Sequence, residues 1–214
     1  MSIFDEIFEL SNKYSNVLNL QINSRLNEMQ NDDTSHYLIY RVLGITDQEG
    51  NLIDVYQNKG RFLYKYAGSF LEESALLCFK HKYQNAEKTK IPNTLGSKPK
   101  TFEIDCLVET DAHEIKWRDA TTDGDHITKE HTRVQVIKNA GFTPIRVMFY
   151  YPQREQAKRI QETLKTLYQG IGGKYYYGEQ AWEYIHKYTD VNLLNILSEI
   201  ADLKSQTGNY QWFI

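Results

Sequence analysis

The residues best equipped for chemistry lie between Thr101 and Trp117, in T-F-E-I-D-C-L-V-E-T-D-A-H-E-I-K-W. Asp105, Glu114 and Lys116 supply two carboxylates and an amine within a dozen positions. Two carboxylates can hold a hard divalent cation through oxygen, and an ammonium beside them can orient water or offset charge on a phosphoryl group. This is the equipment of metal-assisted phosphodiester hydrolysis. The same three residue types on a polar strand face are also what plain solvation produces, so the elements that position them decide the matter.

Two short strands joined by a turn account for the stretch. Phe102, Ile104, Cys106 and Val108 alternate with Glu103, Asp105 and Leu107, the period of a half-buried strand. A second strand runs from His113 to Trp117, and Glu109-Thr110-Asp111-Ala112 supplies the turn. With the turn centred near 109–111, Asp105 lies opposite Glu114 or Lys116. In either register Asp105, Glu114 and Lys116 share one sheet face, and Ile104, Cys106, Ile115 and Trp117 point into a core.

The flanking chain reads as a frame for this hairpin. Arg61 to about Tyr83 is a helical pattern with Leu71, Ala75, Cys78 and Phe79 on one stripe, and Glu72 or Glu73 near its middle could bring a third carboxylate. Gln84 to Lys100, with Pro92 and Pro99, reads as a polar loop. After the hairpin, Arg118 to His126 is loop and Ile127 to Ala140 a helix stopped by Gly141. Thr143 to Tyr151 is a buried strand that a helical crossover sets parallel to the strand carrying Glu114. At the N-terminus, residues 3–18 read as a helix, the stretch to Ser35 as its end and a loop. His36 to Ile45 reads as a strand, and Leu52 to Tyr56 as a possible return strand after the turn at 47–51. Beyond Pro152 come helices at 153–168, 179–188 and 191–203, read as a helical subdomain or partner surface.

At 214 residues the chain can bury a full core and is most simply one domain. It divides into an N-terminal helix and strands (1–60), a core (about 61–151) and a C-terminal helical region (152–214). No apolar run approaches membrane-spanning length, the N-terminus lacks a basic leader, and two cysteines in apolar patterns form no disulfide or zinc spacing. A cytoplasmic setting without a membrane or small-molecule cofactor is expected. The net charge of −3 argues against a protein that coats nucleic acid indiscriminately. Its distribution is uneven: Lys80 to Lys100 holds six lysines against the single acid Glu87. A second basic set, His126, Lys129, His131, Arg133, Lys138 and Arg146, follows the hairpin. Basic stretches around an acidic pair suit attraction of phosphates.

A helix bearing glutamate, then Asp105, then Glu114-x-Lys116 on a hairpin, then helix and strand, resembles the core of the PD-(D/E)xK nuclease superfamily, with Ile104 standing where proline gives the motif its name. Within that superfamily the run A-H-E-I-K-W-R-D-A-T-T-D-G-D-H-I-T-K-E-H-T-R resembles the ApaLI-like type II restriction endonucleases. The resemblance implies an α/β (α+β) fold of the restriction-endonuclease type, a central mixed sheet flanked by helices, with extra C-terminal helices. It implies Asp105 and Glu114 as metal ligands, Lys116 as the amine at the attacking water, and Glu72, four residues after Gly68, as the helix carboxylate. It further implies Mg²⁺, double-stranded DNA cut at a short palindrome within a restriction–modification system, and a homodimer whose two-fold axis matches the site. Candidates for DNA contact, just after the catalytic strand, are Arg118, Asp123, Asp125, His126, Lys129, His131 and Arg133. The alternatives are a repair or junction-resolving nuclease of the same fold, and a DNA-binding module with an inactive site.

Overall fold

The structure, a computed structural model, describes residues 1–96, 98–118 and 124–206, with side chains from residue 127 onward in the last stretch. Its elements run α1 (Ile3–Met29), α2 (Tyr37–Val42), α3 (Asp47–Lys82), β1 (Glu87–Pro92), β2 (Thr101–Val108), β3 (Asp111–Lys116), α4 (Gly124–Asn139), β4 (Thr143–Met148), α5 (Glu155–Gly170), β5 (Lys174–Tyr177), α6 (Glu179–Thr189) and α7 (Leu193–Gln206). They divide into two compact units, one of residues 9–70 and one of residues 1–8 with 71–214.

The 9–70 unit is helical, which corrects the two strands expected there. Thr46 starts α3 with a reciprocal cap: its hydroxyl accepts from the Glu49 amide at 3.2 Å, and the Glu49 carboxylate accepts from the Thr46 amide at 2.8 Å. The helix then runs straight through Leu52–Tyr56. His36–Ile45, rich in residues that favour strands, forms the short α2 because its rings have partners that a strand would lose. Tyr37 stacks on Tyr40 at 5.3 Å, and the Tyr40 hydroxyl donates to Asp54 at 3.1 Å. Gly44 ends the turn at φ +83°, and Gly50 leaves room for the Tyr40 ring, which a Cβ there would meet at 2.6 Å. Residues 19–29, expected as a helix end and loop, continue α1.

The other unit is built on a five-stranded mixed sheet in the order β1-β2-β3-β4-β5, an α+β fold as expected. The first three strands are antiparallel and the last three parallel, with α4 and α5 as the crossover helices. Two strands lie where none was expected. β1, E-K-T-K-I-P, sits inside the supposed polar loop; it is an edge strand whose lysines and terminal proline are what edges tolerate. β5, K-Y-Y-Y, closes the other edge, so the C-terminal region is part of the sheet rather than an appended subdomain. One cluster, Ile91, Phe102, Ile104, Ala112, Val136 and Ile137, packs the hairpin against α4; another, Val134, Ile160, Leu164, Tyr168 and Tyr175, joins α4, α5 and β5.

The hairpin turns tightly at Glu109-Thr110, with Glu109 at φ +52°, and pairs Cys106 with His113 and Val108 with Asp111. Continued one step, this register sets Asp105 opposite Glu114. On its other side β2 is irregular. Glu87 pairs with Leu107 but Thr89 pairs with Ile104, so three steps of β2 oppose two of β1 and a bulge falls at Asp105–Cys106. The bulge reverses the alternation: Ile104 packs with Ala112 and α4, whereas Cys106 pairs with His113 beneath Phe79 of α3. The expected common face for Ile104 and Cys106 is therefore not realised, because the extra residue turns the strand between them.

Two buried polar arrangements hold the sheet to its helices. His113, fully buried, donates from Nδ1 to the Cys106 carbonyl at 3.1 Å and accepts at Nε2 from the Tyr184 hydroxyl at 2.8 Å. Tyr184 in turn stacks on Tyr176 of β5. Arg146, counted in the basic set after the hairpin, is instead buried in β4. It pairs with Glu130 of α4 at 3.1 Å, and Tyr168 donates to the same carboxylate oxygen at 2.6 Å.

These arrangements set the stability. Truncating Arg146→Met strands the buried Glu130 charge, and urea denaturation is expected to show a loss of about 3–5 kcal/mol; a change within 0.5 kcal/mol, roughly the surface-substitution range, would contradict the pairing. Burial lowers the His113 pKa from 6.5 to about 4, so the folded state binds this proton less readily than the unfolded one. Its contribution is present above pH 6.5 and is lost as pH falls toward 4, roughly 3 kcal/mol in all. Denaturation midpoints at pH 7 and pH 5 are expected to fall further for the wild type than for His113→Phe; parallel declines would show that His113 does not carry the dependence.

Candidate active site

The site lies where the antiparallel and parallel halves of the sheet meet. The bulge turns Asp105 inward, where its carboxylate accepts from the Ile115 amide at 2.8 Å, 6% exposed. That bond ties the two strands together and fixes one oxygen of Asp105. Glu114, one position along β3, is 3% exposed, and Lys116 reaches back between the two carboxylates, 2.5 Å from Glu114 and 3.6 Å from Asp105. Arg133, reaching in from α4 while lying over the Phe102 ring, forms an ion pair with Glu114 and approaches Glu130 at 3.8 Å.

Burial and charge then separate the two acids. Burial pushes the Asp105 carboxyl up, and the neighbouring Glu114 charge pushes it further, to about 7 against Lys116's opposing pull. Burial alone would raise Glu114 as well, but Lys116, Arg133 and Arg146 outweigh it and hold that carboxyl at about 2. Burial works against the Lys116 ammonium; Glu114 and Asp105 overcome it and raise the lysine pKa. Glu114 is thus a fixed anion, and Asp105 is the carboxylate most in need of another cation.

A third and a fourth carboxylate complete the arrangement. Glu72 of α3, Glu103 and Asp105 each place an oxygen within 4.8 Å of the others. Of the two helix glutamates weighed from sequence, Glu72 is the one brought to this cluster. Glu103 was missed, although it stands two residues before Asp105 on the same strand, a spacing that could have signalled it. Lys88 of β1 forms ion pairs with Glu72 and with Glu103, the latter at 3.0 Å. An all-oxygen donor set that already holds an ammonium between two of its members fits a hard divalent cation. Glu114 is not in this group; its carboxylate is taken by Lys116 and Arg133.

The DNA-contact candidates divide. Arg118 is exposed just after β3 with its guanidinium 5.6 Å from the Trp117 ring, and Lys129 and His131 are exposed on α4. Arg133 points into the site, as described. Asp123 and the side chains of Asp125 and His126 lie outside the described residues. No described helix is long and apolar enough to cross a membrane. Cys78 and Cys106 are free and buried, with burial pushing both thiols up to about 12, so neither supplies a thiolate.

No curated protein and no solved structure matches the chain. A family model does: that of the ApaLI-like restriction endonuclease matches residues 1–202. Restriction endonucleases act on DNA, and the cluster of carboxylates around Asp105 is what a divalent-metal nuclease needs. The chain belongs to the ApaLI-like restriction endonuclease family.

Proposed function

We propose that the protein is a type II restriction endonuclease that hydrolyses both strands of double-stranded DNA at a short palindromic site with Mg²⁺, as the cutting partner in a restriction–modification system. The observation that carries this reading is the gathering of carboxylate oxygens from Glu72, Glu103 and Asp105 within 4.8 Å of one another, with Lys116 set between Asp105 and Glu114.

Asp105 and Glu72 would hold the ion, with Glu103 beside them. Glu114, now paired with Lys116 and Arg133, would be a further ligand. Bound there, Mg²⁺ supplies Lewis-acid polarisation of the phosphoryl oxygen and lowers the pKa of the attacking water. Lys116, donating from between the two carboxylates, orients that water and offsets charge building on the phosphate. The bond from the Ile115 amide fixes Asp105 for ligation, and Arg133 keeps Glu114 ionised. Arg118, Lys129 and His131, exposed on the stretch that follows β3, contact the DNA, together with Asp123, Asp125 and His126 of the same segment.

A palindromic site calls for a two-fold symmetric homodimer. The exposed Leu38, Ile39 and Val42 of α2, Leu43 that caps it, and Leu52 and Ile53 of α3 offer apolar surface for a second copy.

Incubation with intact phage or plasmid DNA and Mg²⁺ is expected to give discrete fragments whose sequenced ends share one palindrome. Cutting only of branched or damaged substrates would favour a repair enzyme, and salt-sensitive binding without turnover an inactive module. Asp105→Asn and Lys116→Ala, checked for retained far-UV circular dichroism, are each expected to slow cleavage by about a hundredfold or more; undiminished cutting by either variant would sink the assignment of that residue. Light scattering on the purified protein is expected to give twice the 25.2 kDa chain mass, and a monomer both free and on DNA would rule out the dimer.

A further inference from the structure

Lys88 stands apart from the lysine that the motif supplies. It lies on the edge strand between the two register pairs that flank the bulge, so it faces the irregular turn of β2 at Asp105–Cys106. Its ammonium is not spread over solvent but set between Glu72 and Glu103, two of the three residues whose oxygens cluster for a cation. The side chain is 41% exposed, and β1 has a neighbour on one side only, so the flexible stem has water to swing into. An ammonium and a divalent cation cannot occupy the same few ångströms of carboxylate oxygens, since each would repel the other at a separation where Coulomb energies are largest.

We propose that Lys88 is the resident counter-ion of the metal site: it holds Glu72 and Glu103 together in the metal-free protein, and a divalent cation must displace it to bind. This rests on the reading of Glu72, Glu103 and Asp105 as metal-holding. The arrangement has two physical consequences. Three carboxylates are kept from repelling one another before the ion arrives, and the ion's net affinity is reduced by the contacts that Lys88 gives up. The displaced ammonium remains tethered by β1 beside the site, where an approaching phosphate would be its next partner. Lys90, 3.7 Å from Glu103 and mostly in water, is the neighbouring cation on that strand and makes no contact with Glu72.

The direction of the effect separates this role from a merely structural one. If Lys88 only braced the fold, removing it would loosen the carboxylates and weaken metal binding; a competing counter-ion predicts the reverse. Mn²⁺ binding followed by titration calorimetry and by the electron paramagnetic resonance of free Mn²⁺ is the test, without DNA or turnover. Lys88→Met is expected to bind Mn²⁺ about tenfold more tightly than the wild type, within the usual range for coupling between two ligands of one site. Lys88→Arg, which keeps the charge and adds a second donor, is expected to bind no more tightly than the wild type and keeps the test open should Lys88→Met fold poorly. Equal or weaker binding by Lys88→Met, or tighter binding by Lys88→Arg, overturns the proposal. Asp105→Asn distinguishes the two levels: if it abolishes Mn²⁺ binding while Lys88→Met leaves it unchanged, the metal site stands and only the counter-ion role falls. If wild type and all variants fail to bind, both fall.

Discussion

Glu114 and Asp105 are carboxylates taken almost wholly out of water in the middle of a sheet, and everything around them answers the cost of that burial. An isolated ion in such a place would lose several kcal/mol of hydration, roughly, and would shed its charge instead. Glu114 keeps its charge because Lys116, Arg133 and, further off, Arg146 surround it. Those cations must themselves be balanced, which is the part that Glu130 plays between Arg133 and Arg146, with the Tyr168 hydroxyl completing its bonds. The alternation of charge therefore runs across β3, α4 and β4 to α5. Replacing any one member disturbs its neighbours, and this is how a site of a few atoms comes to specify the packing of four elements.

Asp105 obtains its position differently, from the backbone. A regular strand would keep Ile104 and Cys106 on one face, whereas the bulge splits them between the α4 and α3 sides and turns Asp105 into the seam. The backbone amide of Ile115 then fixes one carboxylate oxygen. A bulge opposite an edge strand loses less than one in the sheet interior, because β1 has only one ladder to keep. It also sets Lys88 and Glu103 beside Asp105. The irregularity thus brings the edge strand to the carboxylate cluster, although its sequence, E-K-T-K-I-P, has almost no apolar content.

This explains what the sequence disclosed and what it withheld. The hairpin, the crossover through α4 and the shared location of Asp105, Glu114 and Lys116 follow from period-2 alternation and one glycine stop, which are local signals. β1 and β5 were hidden because an edge strand need not alternate; one is lysine-rich and the other is three tyrosines after a glycine run. The error at 36–56 was of another kind. Its signal was present, since Thr46 to Glu49 is a capping box, but the β-branched and aromatic residues of His36–Ile45 outweighed it until their contacts with Asp54 and with one another were known. Glu103 stood in view two residues before Asp105. That it joins Glu72 while Glu114 is drawn to Lys116 and Arg133 depends on side-chain placement across the bulge, which spacing cannot report.

The charge balance of the finished site points to what it lacks. Among the described residues, Glu72, Glu103, Asp105, Glu114 and Glu130 meet Lys88, Lys90, Lys116, Arg133 and Arg146, five acids against five cations, of which Lys90 stands mostly in water. The cover is uneven: Lys90 reaches only the half-exposed Glu103, whereas the buried Asp105 shares Lys116 with Glu114, so its charge is the least covered, and burial and Glu114 raise its carboxyl to about 7. A proton near neutrality is one way to cover it. A divalent cation in place of the Lys88 ammonium, as proposed above, would be the other: it would set two charges beside Asp105 and free one at the edge of the sheet. A DNA phosphate would be the partner for that freed charge. On the proposed function, this thinly covered Asp105 would be the electrostatic bias that draws the ion in.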